Sequence, residues 1–292
     1  MDYQTRMEKE LGQIADMLML NGTLTECPGL VHGKMGVAVF FFHYAQYTGN
    51  ELFADYAMDL IGEMMNQIHV NSPADYEKGI AGIGVGIDYL IHNKFLDTED
   101  DICSDLDDRI FRAVMYEPWQ DFSLYNGLTG FGRYWITRLQ YQMPSAQARE
   151  CLTSIIELIK NNLPKISSIE QNDIFCFLHD LQNVSAGLDV EARDALPIQD
   201  SVMNLGLQLT DVSTGFPRLG DSVVGNMIRM YQCMRYINDG SHDEMRIALK
   251  QIPVLDMENP PSGSGLLSGY AGEGMLRLTS INQSDISWMQ LL

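Results

Sequence analysis

At 292 residues, 46% of them hydrophobic, the chain can bury a large core. Its formal charge of −20, from 39 acidic against 19 basic side chains, excludes a general nucleic-acid binder, which needs a basic surface to neutralise phosphates, and equally a protein drawn to anionic membranes. No run reaches the ~18 uncharged apolar residues of a membrane span, charges throughout the first ten residues argue against a signal peptide, and the scattered cysteines (Cys27, Cys103, Cys151, Cys176 and Cys233) supply neither a disulfide framework nor a metal knuckle, so a cytoplasmic protein is expected.

In chain order, the first element is an amphipathic helix with the apolar stripe Leu11, Ile14, Ala15 and Leu18. A glycine box follows, Gly33-Lys-Met-Gly36, and opens Val37–Tyr44, which is apolar nearly all round. Next comes a one-sided stripe: Leu52, Phe53, Tyr56, Ala57, Leu60, Ile61, Met64, Met65 and Ile68. The second box, Gly79-Ile-Ala-Gly82-Ile-Gly84, leads into the apolar run Ile87–Ile91, and the third, Gly127-Leu-Thr-Gly130-Phe-Gly132, into Tyr134–Leu139. Leu152, Ile155, Ile156 and Ile159 form another stripe, as do Ile198, Val202, Leu205 and Leu209. The weaker box Ser222-Val-Val-Gly225 precedes the apolar run Met227–Met234, and the last, Gly269-Tyr-Ala-Gly272-Glu-Gly274, opens the final helix.

The intervals between boxes are regular: 33 to 79, 79 to 127 and 222 to 269, with 127 to 222 close to twice as long. One copy has therefore lost its glycines and is expected near residue 175, within IFCFLHDLQ. Six units follow, each pairing a fully buried helix with a half-buried one, the fully buried helices beginning near 33, 80, 128, 173, 222 and 270. An inner ring of helices wrapped by an outer ring satisfies this alternation. An open solenoid needs polar terminal caps, whereas this chain ends on the apolar Ile286-Ser-Trp-Met-Gln-Leu-Leu292. The expected fold is all-α, an (α/α)6 toroid spanning residues 1–292 as one domain. The glycines at i and i+3 are expected to admit a close backbone neighbour. No Gly-Lys-Ser/Thr follows them, and no strand precedes Gly79, so neither phosphate-loop reading applies.

Leu30-Val-His32-Gly33-Lys-Met-Gly36, the second box, and Leu267-Ser-Gly269-Tyr-Ala-Gly272-Glu-Gly274 resemble the lanthionine synthetase C-like proteins, the LanC-like family of α/α toroids, over roughly Gly29 to Leu278. The resemblance implies zinc enzymes that add a cysteine thiol across a dehydrated serine or threonine, the metal binding and activating the thiolate. The family's three ligands fall here on Gly220, Leu267 and Ser268, none of which can serve. Its catalytic histidine precedes a glycine in an intervening box, where this chain offers His179 followed by Asp180. The resemblance therefore implies a zinc-less relative with no metal and no cofactor, a binding or accessory protein whose partner is a peptide or a peptide-modifying protein. Its candidate pocket consists of polar residues at the inner-helix mouths: His32, Asn126, Arg218, Asp221, Ser268 and Glu273, with Lys34 and Arg133 beside them. His32 itself is read first as a polar anchor between loop and helix, with the pocket role second. The alternative is a carboxylate-dependent glycoside hydrolase or lyase using Asp221 and Glu273, with Trp119 as a sugar platform; Trp135 reads as core. A cyclase with relocated ligands finds no Cys/His cluster in the sequence.

Overall fold

The computed structural model describes residues 2–97, 101–119, 121–141, 145–188, 204–205, 222–237, 242–256, 261, 263–282 and 286–292. Regular structure among them is helical: α1 (Tyr3–Asn21), α2 (Lys34–Thr48), α3 (Leu52–Gln67), α4 (Ile80–His92), α5 (Ser104–Tyr116), α6 (Leu128–Tyr141), α7 (Ala146–Asn162), α8 (Ser168–Gly187), α9 (Val223–Gln232), α10 (His242–Leu249) and α11 (Tyr270–Asn282). A π-helical turn, Cys233–Ile237, continues α9. None of the described helices is long and apolar enough to cross a membrane.

The chain forms two compact units, Met1–His69 with Pro217–Leu292, and Val70–Phe216. In the first, α11 packs against both α2 and α9, while α1 lies on α11, α3 on α2, and α10 on α9 and α11. The first and last helices of the chain are thus neighbours. In the second, α6 packs against both α4 and α8, with α5 and α7 applied to them.

Burial follows the patterning. Lys34–Phe42 of α2 and Ile80–Leu90 of α4 are buried without a break. Helices apolar on every side are stable only when packed on every side. The N-terminal stripe is buried in α1, and Leu152, Ile155, Ile156 and Ile159 in α7. In α3 the buried face narrows to Ala57, Leu60, Ile61 and Met64, and Leu52 is exposed. Of Ile198, Val202, Leu205 and Leu209 only Leu205 falls among the described residues, and it is buried. The apolar tail is core: Trp288, Met289, Leu291 and Leu292 are buried, and the Trp288 indole donates to Thr279 Oγ1 at 3.0 Å.

Five of the six expected inner helices begin within one residue of the expected positions; the fourth does not. α8 starts at Ser168, ahead of the expected 173. Its start is fixed by a side-chain cap: the Ser167 hydroxyl accepts from the Glu170 N–H, and the Glu170 carboxylate accepts from the Ser167 N–H at 2.9 Å. α8 also buries only a stripe, Ile174, Phe177, Leu178 and Leu181 with Asp180 and Ser185, unlike α2 and α4. Ser167→Ala is expected to cost ~1 kcal/mol, read as a lower urea midpoint at an unchanged slope. A midpoint equal to the parent's would show that the loop, and not the cap, sets this helix start.

Candidate functional site

The starts of α2, α4, α6 and α11 are built by one loop, repeated. In the first box the Lys34 N–H donates to Cys27 O at 2.9 Å, and the Met35 N–H to Pro28 O at 3.2 Å. The second repeats this with Ile80 to Pro73 (3.0 Å) and Ala81 to Ala74 (3.2 Å), and the last with Tyr270 to Gly263 (2.9 Å) and Ala271 to Ser264 (3.1 Å). In the third, the Leu128 N–H donates to Asp121 O at 3.1 Å, and the Thr129 hydroxyl to Phe122 O at 2.9 Å. Loop carbonyls thus satisfy the N–H groups that a helix start leaves unpaired. Gly33 lies in extended backbone, φ −129° and ψ −161°, which any residue can adopt. Glycine is needed there for room, because a Cβ would collide with the Cys27 carbonyl oxygen.

Neighbouring boxes share a register. The Glu77 N–H, two residues before Gly79, donates to Tyr125 O, two residues before Gly127, at 3.0 Å. The Leu267 N–H, two before Gly269, donates to Val31 O, two before Gly33, at 3.2 Å. The third glycines repeat the relation. Gly84 of α4 seats the Tyr134 ring of α6, Gly132 of α6 the Phe177 ring of α8, and Gly274 of α11 the Phe40 ring of α2. The last box therefore stands to the first as the second stands to the third. The same register places Glu170 and Asp173 of α8 where the other copies carry their first two glycines. Their carboxylates accept the Phe122 N–H (3.0 Å) and the Leu124 N–H (2.8 Å) of the third loop. Burial pushes the Asp173 carboxyl up to about 6, although the Leu124 N–H and Arg133 oppose the shift.

The candidates occupy related places. His32, Asn126 and Ser268 each directly precede the first glycine of a box. The Leu267–Val31 hydrogen bond puts His32 and Ser268 on adjoining loops, both half-buried, and His32 Cα lies against Gly265. Asn126, in the second unit, is exposed. Arg218, Asp221 and the ligand position Gly220 lie outside the described residues. Glu273 accepts from Arg277 Nη1 at 2.5 Å. Lys34 is buried, its ammonium 2.6 Å from Glu63 Oε2. Arg133 lies 3.7 Å from Asp180 Oδ2 and hydrogen-bonds the Tyr76 hydroxyl. His179 Nδ1 is 3.7 Å from Asp180 Oδ1 and 3.1 Å from the Asn183 amide. Trp119 donates its indole N–H to Ala113 O and stacks edge-on to Phe131, and Trp135 is core.

The residues present do not fit the family's zinc. Leu267 presents hydrocarbon and Ser268 a hydroxyl, and among the described residues no three His, Cys, Asp or Glu side chains are grouped so as to hold a metal ion.

Two buried ionic networks went unread in the sequence. Arg277 joins Glu10 of α1 to Glu273. Arg138 of α6 gathers Asp88, Asp101 and Asp107. The available signal was a charged residue inside an otherwise apolar helix, which must find a partner when buried.

Compared with known proteins, the chain matches no family model and no curated protein.

Proposed function

We propose that the chain is a zinc-independent relative of the lanthionine synthetase C-like proteins, closed into a ring of six helical hairpins, and that it acts as a binding or accessory protein for a peptide or a peptide-modifying partner. One observation carries the reading: the last box meets the first through the same hydrogen bond and the same glycine–aromatic seat that join the second box to the third. A repeat whose last copy continues into its first supports closure over an open solenoid. The half-buried polar residues on the joined loops, His32 and Ser268, support a ligand at the helix mouths. The net charge of −20 favours a basic peptide as that ligand.

Closure is tested by small-angle scattering. A closed chain of this length has a radius of gyration of about 19 Å, and a clearly larger, elongated particle would refute the ring. The zinc-independent reading expects no stoichiometric metal after dialysis and no thioether formation by the purified protein. Without a metal-bound thiolate, a substrate cysteine keeps its ordinary pKa near ~8.5 and little nucleophile forms at neutral pH. Elemental analysis finding one zinc per chain, removed by replacing Cys176 or Cys233, would overturn it. Titration of a fluorescent Lys/Arg-rich peptide tests the binding role. Saturable binding weakened by His32→Ala is expected, and equal binding by parent and variant would remove the helix mouth as the site.

A further inference from the structure

The second unit holds a buried charge imbalance. Arg138 of α6 faces three carboxylates: Asp88 of α4 at 3.4 Å, Asp107 of α5 at 3.1 Å, and Asp101 on the segment leading into α5. Tyr134 of α6 donates to Asp107 Oδ1 at 2.5 Å, and the Cys103 thiol lies 3.9 Å from Asp88 Oδ1. The other titratable groups along α4 are Tyr89, buried beside Asp88, and His92, one turn on and exposed. Asp101 is exposed to water, so one guanidinium is left to neutralise two enclosed carboxylates, and the deficit falls on the more enclosed of them. Asp88 is 5% exposed, and its Oδ2 has no hydrogen-bond partner among the described residues. A buried carboxylate oxygen without a donor is costly when charged and far less so when the group is neutral.

We propose that Asp88 is a proton-operated latch: it holds a proton while α4 is packed against α5 and α6, and it surrenders that proton to solvent as the pH rises, loosening this junction. Geometry and electrostatics agree. Burial pushes the Asp88 carboxyl up to about 6, Arg138 opposes the shift, and Asp101 and Asp107 add to it. Burial raises Asp107 as well, against its bonds from Tyr134 and Arg138. A folded-state pKa above the unfolded value gives stability that is complete below the unfolded value and is lost as the pH rises through the folded one. The window therefore runs from about pH 4 to about 6.

Two measurements on the full chain test this. The Asp88 side-chain carboxyl, followed by carbon NMR, is expected to titrate near pH 6 and to shift downward in Asp101→Asn, which removes one neighbouring negative charge. Thermal midpoints of the parent and Asp88→Asn are expected to be similar at pH 4 and to separate by pH 7, with the variant higher. The parent titration stands even if Asp88→Asn fails to fold. An Asp88 carboxyl titrating at or below pH 4, or a midpoint difference constant across the range, would overturn the latch.

Discussion

Gly272→Ala is expected to be among the most destabilising single changes in the chain. A Cβ at Gly272 would collide with the carbonyl oxygen of Leu266 and would come within 3.3 Å of Val224 Cγ1. The obstacle is backbone, and that backbone is itself fixed: Leu266 is fully buried, and the flanking Gly265 carbonyl accepts the Gly272 N–H at 3.2 Å. A flexible side chain could rotate away, whereas this loop can move only by breaking its bonds to the start of α11. The cost is expected to exceed the ~1–3 kcal/mol of ordinary overpacking, a large share of the ~5–15 kcal/mol that holds a domain together. Gly130→Val tests the same point in the second unit, where a Cβ would strike Leu124 O and approach Tyr76 Cβ at 2.8 Å. Gly62→Ala on α3 is the control. Among the described residues nothing lies within 4 Å of a Cβ added there, so removing a helix-interior glycine is expected to gain up to ~1 kcal/mol. Urea unfolding of the three variants decides. Parent-like midpoints for Gly272→Ala and Gly130→Val would show that the boxes keep glycine for some reason other than room.

Those glycines were the most legible feature of the sequence, and the reason is physical. A glycine near the start of a helix is costly enough to need a packing cause, and copies at a constant spacing identify one cause repeated. Helices α2 and α4 were legible for a similar reason, since segments apolar all round have only one stable setting. The start of the fourth unit is not legible because its buried apolar residues begin at Ile174, well inside the helix, while Ile169 in the first turn is exposed. Its start is set by the polar Ser167 and Glu170, which carry no periodic signal. A charge inside an apolar helix signals that a partner is needed, but not which one, because the partners lie far apart in the chain, Glu10 with Arg277 and Asp88 with Arg138. No local pattern encodes such a pairing. The candidate pocket was legible as a set of positions at helix mouths. The pairing of Glu273 with Arg277, at i and i+4 on one helix, was open to a sequence reading, whereas the adjoining loops of His32 and Ser268 were not.

Arg277→Met is the second large effect expected, and it probes how the two ends of the chain are fastened. Arg277 is 1% exposed, and its guanidinium is used from every side. Nε donates to Glu10 Oε2 at 2.8 Å, Nη1 to Glu273 Oε2 at 2.5 Å and to Glu273 O at 3.0 Å, and Nη2 to Pro253 O at 3.3 Å. Glu10 belongs to the first helix, so this one side chain ties α1 to α11 in charge as well as in packing. Methionine nearly matches the hydrocarbon stem but takes the cation from Glu273 and leaves Glu10 only Arg6, whose Nε lies 3.8 Å from Oε1. Removing one partner of a buried pair costs ~3–5 kcal/mol, mostly from the charge left behind. The same reasoning predicts the rescue. Adding Glu10→Met to Arg277→Met removes the buried charge on α1, and replacing an entire buried pair by apolar groups is often close to neutral. The double variant should therefore recover much of the loss, in a cycle that departs strongly from additivity. Thermal or urea midpoints of the parent, both single variants and the double variant measure this. Additive effects, or an Arg277→Met variant as stable as the parent, would mean that α1 is held to α11 by its apolar stripe of Leu11, Ile14, Ala15 and Leu18 alone.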